Sequence, residues 1–125
     1  MTGRIIPAAN IIEVRQGDTF VIRLCFKRHN QNIDLSKSQI VMQVRDKNSG
    51  ELMFSLDAES VDASRGIFAF VLTPAQTSLE AGEYVTDMQI TAEDGAVNTF
   101  FPANVNQLGV FRVTKQVTKL GNYGK

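Results

Sequence analysis

The only histidine, His29, stands in Lys27-Arg28-His29-Asn30, a polar stretch with the composition of a turn. Any Ser-His-Asp or Cys-His relay would have to use it. No serine occupies a Gly-x-Ser-x-Gly elbow, so the nucleophile half of such a relay has no marked candidate. The lone cysteine, Cys25, lies in an alternating strand pattern opposite Phe26, with no activating neighbour in sequence; a buried or half-buried inert thiol is expected. One His and one Cys cannot make a conventional structural zinc site within one chain. Asp57, Glu59 and Asp62 are close in sequence but lack the spacing of a calcium loop, and read as solvated acids. Gly17 and Gly82 do not open a phosphate-binding loop, because no glycine-rich run leads into Lys-Ser or Lys-Thr. These residues assign no catalytic, cofactor-binding or metal-binding position, and the expectation is a protein that is not an enzyme and carries no cofactor.

Two features point to contact instead of turnover. Phe100-Phe101-Pro102 places two large rings side by side, and both cannot face one side of a regular strand. Either one ring stands at a contact surface, or the chain bulges or turns at Pro102. The second feature is charge placement. Residues 1–94 hold all 13 acids and 9 of the 13 bases, whereas Arg112, Lys115, Lys119 and Lys125 are the remaining bases and residues 95–125 carry no acid. That end is either a solvated terminus or a basic segment that docks on an acidic surface of a neighbouring copy or partner. Phe100, Phe101, Arg112, Lys115 and Lys119 are therefore the candidate interface residues.

Such side chains need a frame, and the frame reads as strands. Phe20, Ile22, Leu24 and Phe26 alternate with Val21, Arg23 and Cys25, a period of two. Ile40, Met42 and Val44 repeat the pattern, as do Leu52, Phe54 and Leu56, then Phe68, Phe70 and Leu72, then Tyr84, Thr86, Met88 and Ile90. Gly109-Val110-Phe111-Arg112-Val113 begins a last strand, and another is expected near Ile11 to Val14. Between them lie Gln16-Gly17-Asp18, Asp46-Lys47-Asn48-Ser49-Gly50, Ser64-Arg65-Gly66 and Glu93-Asp94-Gly95, all turn chemistry. Asn30-Gln31-Asn32 reads as a polar connection. Thr73-Pro74-Ala75-Gln76 has the form of a helix N-cap, a first-turn proline and a capping-box glutamine, enough for a short helical crossover.

The chain has 125 residues and 43% apolar content, which suits one domain with one core. A single sheet with no helix to cover it would leave an apolar face wet, so two sheets must close on each other. About seven strands in this length predict an all-β, immunoglobulin-like antiparallel β-sandwich with one short helical turn. The domain spans residues 11–114, preceded by an N-terminal extension (1–10) and followed by a basic C-terminal tail (115–125). Gly82-Glu83-Tyr84 places a tyrosine at the start of a strand just after a tight corner, which is either the tyrosine corner of such sandwiches or a plain boundary tyrosine. A formal net charge of zero argues against a nucleic-acid partner, and no apolar window reaches the length of a membrane span. Residues 1–10 do not read as a signal peptide, so synthesis in the cytoplasm is expected.

Ile12-x-Val14-Arg15-Gln16-Gly17-Asp18-Thr19, then Ile33-Asp34-Leu35-Ser36, then the strand from Ile40 to Val44 with Asp46, then Gly66-Ile67-Phe68-x-Phe70-x-Leu72-Thr73 and Gln76-Thr77, and finally Gly82-x-Tyr84, follow one another in this sequence. That order resembles the N-terminal immunoglobulin-like domain of phage baseplate upper proteins, and related small virion proteins, over about residues 11–114. The resemblance implies a structural role in a phage or prophage particle. Such domains join copies of themselves and other virion proteins, and they bring no enzymatic residues. Baseplate upper proteins continue past this domain whereas this chain stops at Lys125, which keeps a smaller tail, neck or capsid-decorating protein open. A carbohydrate-binding or adhesive module, using loops near Asn30, Asn48 and Asn98, is the alternative; the lack of Trp weighs against it.

Overall fold

The computed structural model describes residues 3–6, 10–102 and 107–117. The chain is an all-β sandwich. Twelve strand segments run among the described residues: β1 (Gly3–Ile6), β2 (Ile11–Arg15), β3 (Phe20–Cys25), β4 (Lys27–Arg28), β5 (Gln31–Asn32), β6 (Gln39–Arg45), β7 (Leu52–Asp57), β8 (Glu59–Asp62), β9 (Ile67–Leu72), β10 (Gly82–Thr91), β11 (Val97–Phe101) and β12 (Gly109–Thr114), with a 3₁₀ turn (Ala63–Arg65) between β8 and β9 and one α-helical turn, α1 (Pro74–Thr77), between β9 and β10. The large sheet has the order β1-β2-β12-β10-β6-β7, with β11 added on β10; the small sheet is β3-β9-β8. In immunoglobulin lettering this is B-E-D facing G-F-C-C′. Among these pairs only β2 and β12 run parallel, a departure from the fully antiparallel expectation. It puts the first and last strands of the domain side by side.

The inner faces close over one core. Phe20, Ile22, Met42, Val44, Phe68, Phe70 and Met88 are buried as their alternation predicts. Ile12, Val14, Phe111 and Val113 join them, because β2 and β12 lie together in the middle of the large sheet. Burying each of these large side chains stabilises the fold by roughly 1.5–3 kcal/mol. Leu52 departs from its pattern. The register slips between Val44 and Arg45, pairing Val44 with Phe54 but Arg45 with Leu52. Met53 is the extra residue of a bulge, and Leu52 turns outward, 43% exposed.

Turn chemistry sets the connections. Asp46 Oδ1 accepts the backbone N–H groups of Asn48 and Ser49, both at 2.8 Å. These bonds hold its carboxyl below the usual carboxylate range and fix the β6–β7 loop. The polar connection expected at Asn30-Gln31-Asn32 is a small hairpin: Arg28 pairs Gln31 across His29 and Asn30, whose φ values are +52° and +63°. Two positive φ angles in a two-residue loop make the turn whose twist matches a hairpin, and Asn tolerates that conformation best among non-glycine residues. Gly66 must be glycine, since φ is +73° and an added Cβ would stand 2.8 Å from the Phe26 carbonyl oxygen. Thr73 caps α1 with the predicted box, its hydroxyl accepting the Gln76 N–H while Gln76 Oε1 accepts the Thr73 N–H.

The corner before β10 is closed by a side chain. Tyr84 donates its hydroxyl to the Glu80 carbonyl at 2.7 Å, which is the tyrosine corner of immunoglobulin-like sandwiches. Burial, and next the charges of Glu80 and Asp46, push this phenol above its usual value.

Candidate interaction surface

The residues singled out for chemistry do not meet. His29 is exposed at the tip of the β4–β5 hairpin. Cys25 is exposed at the end of β3, on the outer side of an edge strand, which corrects the expectation of a buried or half-buried thiol. Asp62 accepts the Ser64 hydroxyl, and no group of three metal-capable side chains gathers among the described residues.

Phe100 and Phe101 are both half-buried and both pack against the core. The bulge makes this possible. Met88 pairs Phe101 but Gln89 pairs Thr99, so Phe100 is an extra residue and its ring turns inward beside its neighbour's. Phe100 meets Phe26 edge to face at 5.0 Å. Phe101 lies against Gly109, where any Cβ would stand 2.9 Å from the ring and 2.5 Å from the Thr86 carbonyl oxygen. Arg112 sits in the middle of the large sheet, Lys115 is exposed just past β12, and Lys119 lies outside the described residues. Of the four described candidates, Phe100 and Phe101 turn toward the core, while Arg112 and Lys115 lie on and just past β12.

The outer face of the large sheet carries a surface that the sequence reading did not find. Antiparallel and parallel registers align Arg4, Glu13, Arg112 and Glu83 across four neighbouring strands. Arg4 Nε donates to Glu13 Oε1 at 2.8 Å, and Arg112 Nη1 to Glu13 Oε2 at 3.1 Å. Arg112 also donates from Nε and Nη2 to Glu83 Oε2, at 3.1 and 3.0 Å, and Lys47 Nζ stands 3.9 Å from Glu83 Oε1. Charges thus alternate in sign along one row. The bonds from Arg112, and next from Arg4, hold Glu13 below the usual carboxylate range, while Glu13 and Glu83 raise the Arg112 guanidinium. Solvent screens such pairs, so the ladder contributes register more than stability.

One register step further, Ile6, Ile11, Val110 and Val85 form an apolar row across the same four strands, each half-buried. A sheet face turned to water normally alternates to polar residues here. Beyond that row the face dips into a groove of about 500 Å³ between β6, β10, the start of β12 and the chain just before it. Val41, Val85, Pro102 and Leu108 give it apolar walls; Gln43, Gln89 and Thr99 add polar groups. Its two ionised side chains are unequal. Arg45 is engaged, donating to Gly50 O and Gln43 Oε1, both at 3.0 Å. Asp87 makes no ion pair or side-chain hydrogen bond with another described residue. The sequence signal for this surface is the run of β-branched residues at outward positions 11, 41, 85 and 110, where polar residues belong.

No known family model matches the sequence, and comparison with curated proteins finds no match. Three solved structures are similar at low identity. CopC from Methylosinus trichosporium OB3b is similar at 15% identity and a TM-score of 0.47, covering 86% of this chain and 86% of its own. The N-terminal domain of ORF48 from phage TP901-1 is similar at 15% identity and a TM-score of 0.49, covering 85% and 84%. Murine CRIg is similar at 8% identity and a TM-score of 0.40, covering 92% and 97%. No helix among the described residues is long and apolar enough to cross a membrane.

Proposed function

We propose that the chain is a structural component of a phage or prophage particle, in the tail or baseplate, acting by protein–protein assembly and performing no catalytic step. The observation that carries this reading is the outer face of the large sheet, where an ordered charge row, an apolar row and a groove lie side by side, with no other element among the described residues packed over them. A β-sandwich normally spends half-buried Val and Ile on a face that another surface covers. The order of motifs from Ile12 to Tyr84 supports the phage assignment through its resemblance to the baseplate domain. The partners are further copies of the chain and other virion proteins, the location is the virion, and synthesis takes place in the bacterial host.

The test is composition. Particles purified from an induced lysogen contain the chain in fixed proportion to the tail proteins, and Val110→Lys, verified as folded by circular dichroism, removes it from them. Particles that lack the wild-type chain overturn the reading. So does a clear, saturable hit on a glycan array that is lost on changing Gln43 and Gln89, which supports the adhesive alternative.

A further inference from the structure

The groove beside Asp87 fits a segment of this same sequence. We propose that residues 115–125 of a second copy dock in it, with the Lys119 ammonium on the Asp87 carboxylate. This rests on the assembly reading above and names its partner as another copy of the chain.

The groove selects the chemistry. Arg45 spends its guanidinium on Gly50 and Gln43, which leaves the Asp87 carboxylate as the charge without a partner among the described residues. Val41, Val85 and Leu108 flank it with apolar surface. A carboxylate among apolar walls suits a cation carried on a methylene stem, because the stem covers the walls while the head group reaches the charge.

The occupant follows from charge and reach. Residues 95–125 contain no acid, and Lys115, Lys119 and Lys125 follow β12. Val117 is 97% exposed, the highest value among the exposed large apolar residues. In an extended chain Val117 and Lys119 share a face, so one insertion covers an apolar side chain and a cation together. The groove lies at the Gly109 end of β12. The chain leaves at the other end, where Thr114 O accepts the Gln16 N–H and Gln116 donates to Asp18 Oδ1. Those ends are separated by about 17 Å of strand, whereas the two residues from Val117 to Lys119 span at most about 7 Å. Lys119 therefore serves the groove of a neighbour. The resulting contact is head to tail, and it closes a ring or extends a filament. Many copies held in one particle raise the effective concentration of such a contact.

Sedimentation of the full chain over a concentration series tests this, with circular dichroism verifying that each variant folds. The wild type self-associates. Asp87→Lys and Lys119→Asp each weaken that association by about tenfold or more. Mixing the two variants restores it, since each supplies what the other's groove or tail now needs. A wild type that stays monomeric up to millimolar concentration, single variants that assemble as the wild type does, or a mixture that stays dissociated each overturn the proposal. A monomeric wild type that still enters purified particles removes this contact and leaves the assembly reading standing.

Discussion

Along β10 the outward side chains are Glu83, Val85, Asp87 and Gln89, and the sheet face differs at the two ends of that short run. At Glu83 the charges close on one another, through Arg112 to Glu13 and on to Arg4. At Asp87, a single carboxylate stands in a groove with no ion partner among the described residues. Both ends rest on the same core and share β10 and β12, so that core alone does not account for the difference. A closed ladder suits the specification of register, because a slip of one residue would put like charges opposite each other or send the row to the inner face. The Asp87 carboxylate makes no such bond with another described residue, so it adds nothing of this kind to the register.

The largest effect belongs to the core that both ends share. Phe111 is fully buried, opposite Tyr84 on one side and Ile12 on the other, and meets Phe54 edge to face at 5.8 Å. Phe111→Ala is expected to cost about 3–5 kcal/mol. Urea unfolding followed by hydrogen exchange should lose the β2 amides of the ladder end and the β6–β10 amides of the groove end in one transition. Separate transitions would mean that the two ends are independent units, and the comparison between them would lose its premise.

How much of this was legible varies with the physics of each part. Strand periodicity, the capping box at Thr73 and the Asp46 loop depend on neighbours in sequence, and the structure has all three. Tyr84 was half legible: its place after Gly82 was visible, its bond to Glu80 was not. The bulges at Met53 and Phe100 were harder. They depend on which residue of a partner strand lies opposite, and period-two reading assumes that no residue is skipped. The ladder was beyond reach for the same reason. Arg4, Glu13, Glu83 and Arg112 are scattered through the sequence, and only the order β1-β2-β12-β10 lines them up. The outward valines were open to view, yet each was counted as strand propensity and not as an uncovered face.

A middle-sized effect sharpens the comparison from the inner side of β10. The Tyr84 hydroxyl ties the corner at Glu80 to the strand that carries both Glu83 and Asp87. Tyr84→Phe keeps the ring and removes that bond, at a cost of about 1 kcal/mol. Because the folded phenol titrates above its usual 10.0, its contribution is complete below that value and is lost as the pH rises through the folded pKa. The wild type should therefore lose stability on the alkaline side by a step that Tyr84→Phe lacks. An identical alkaline limb in both proteins would remove the corner from the account of β10.

The smallest effects separate the two ends directly. Glu13 is held below its ordinary 4.5 by hydrogen bonds first from Arg112 and then from Arg4. A carboxylate with a depressed folded pKa stabilises the fold above its unfolded value, and that stability drains away as the pH falls through the folded one. Glu13→Gln should therefore flatten the acid limb of the stability profile and lower stability at neutral pH by less than about 1 kcal/mol, most of which disappears in strong salt. Asp87→Asn should leave stability at neutral pH within about 0.5 kcal/mol of the wild type, because the carboxylate it neutralises holds no described partner within its own chain. If Asp87→Asn destabilised the monomer as much as Glu13→Gln, with the same salt dependence, the groove end would be closing its charge internally after all. The distinction between a face that sets register and a face that waits for a partner would then collapse into one surface with one role.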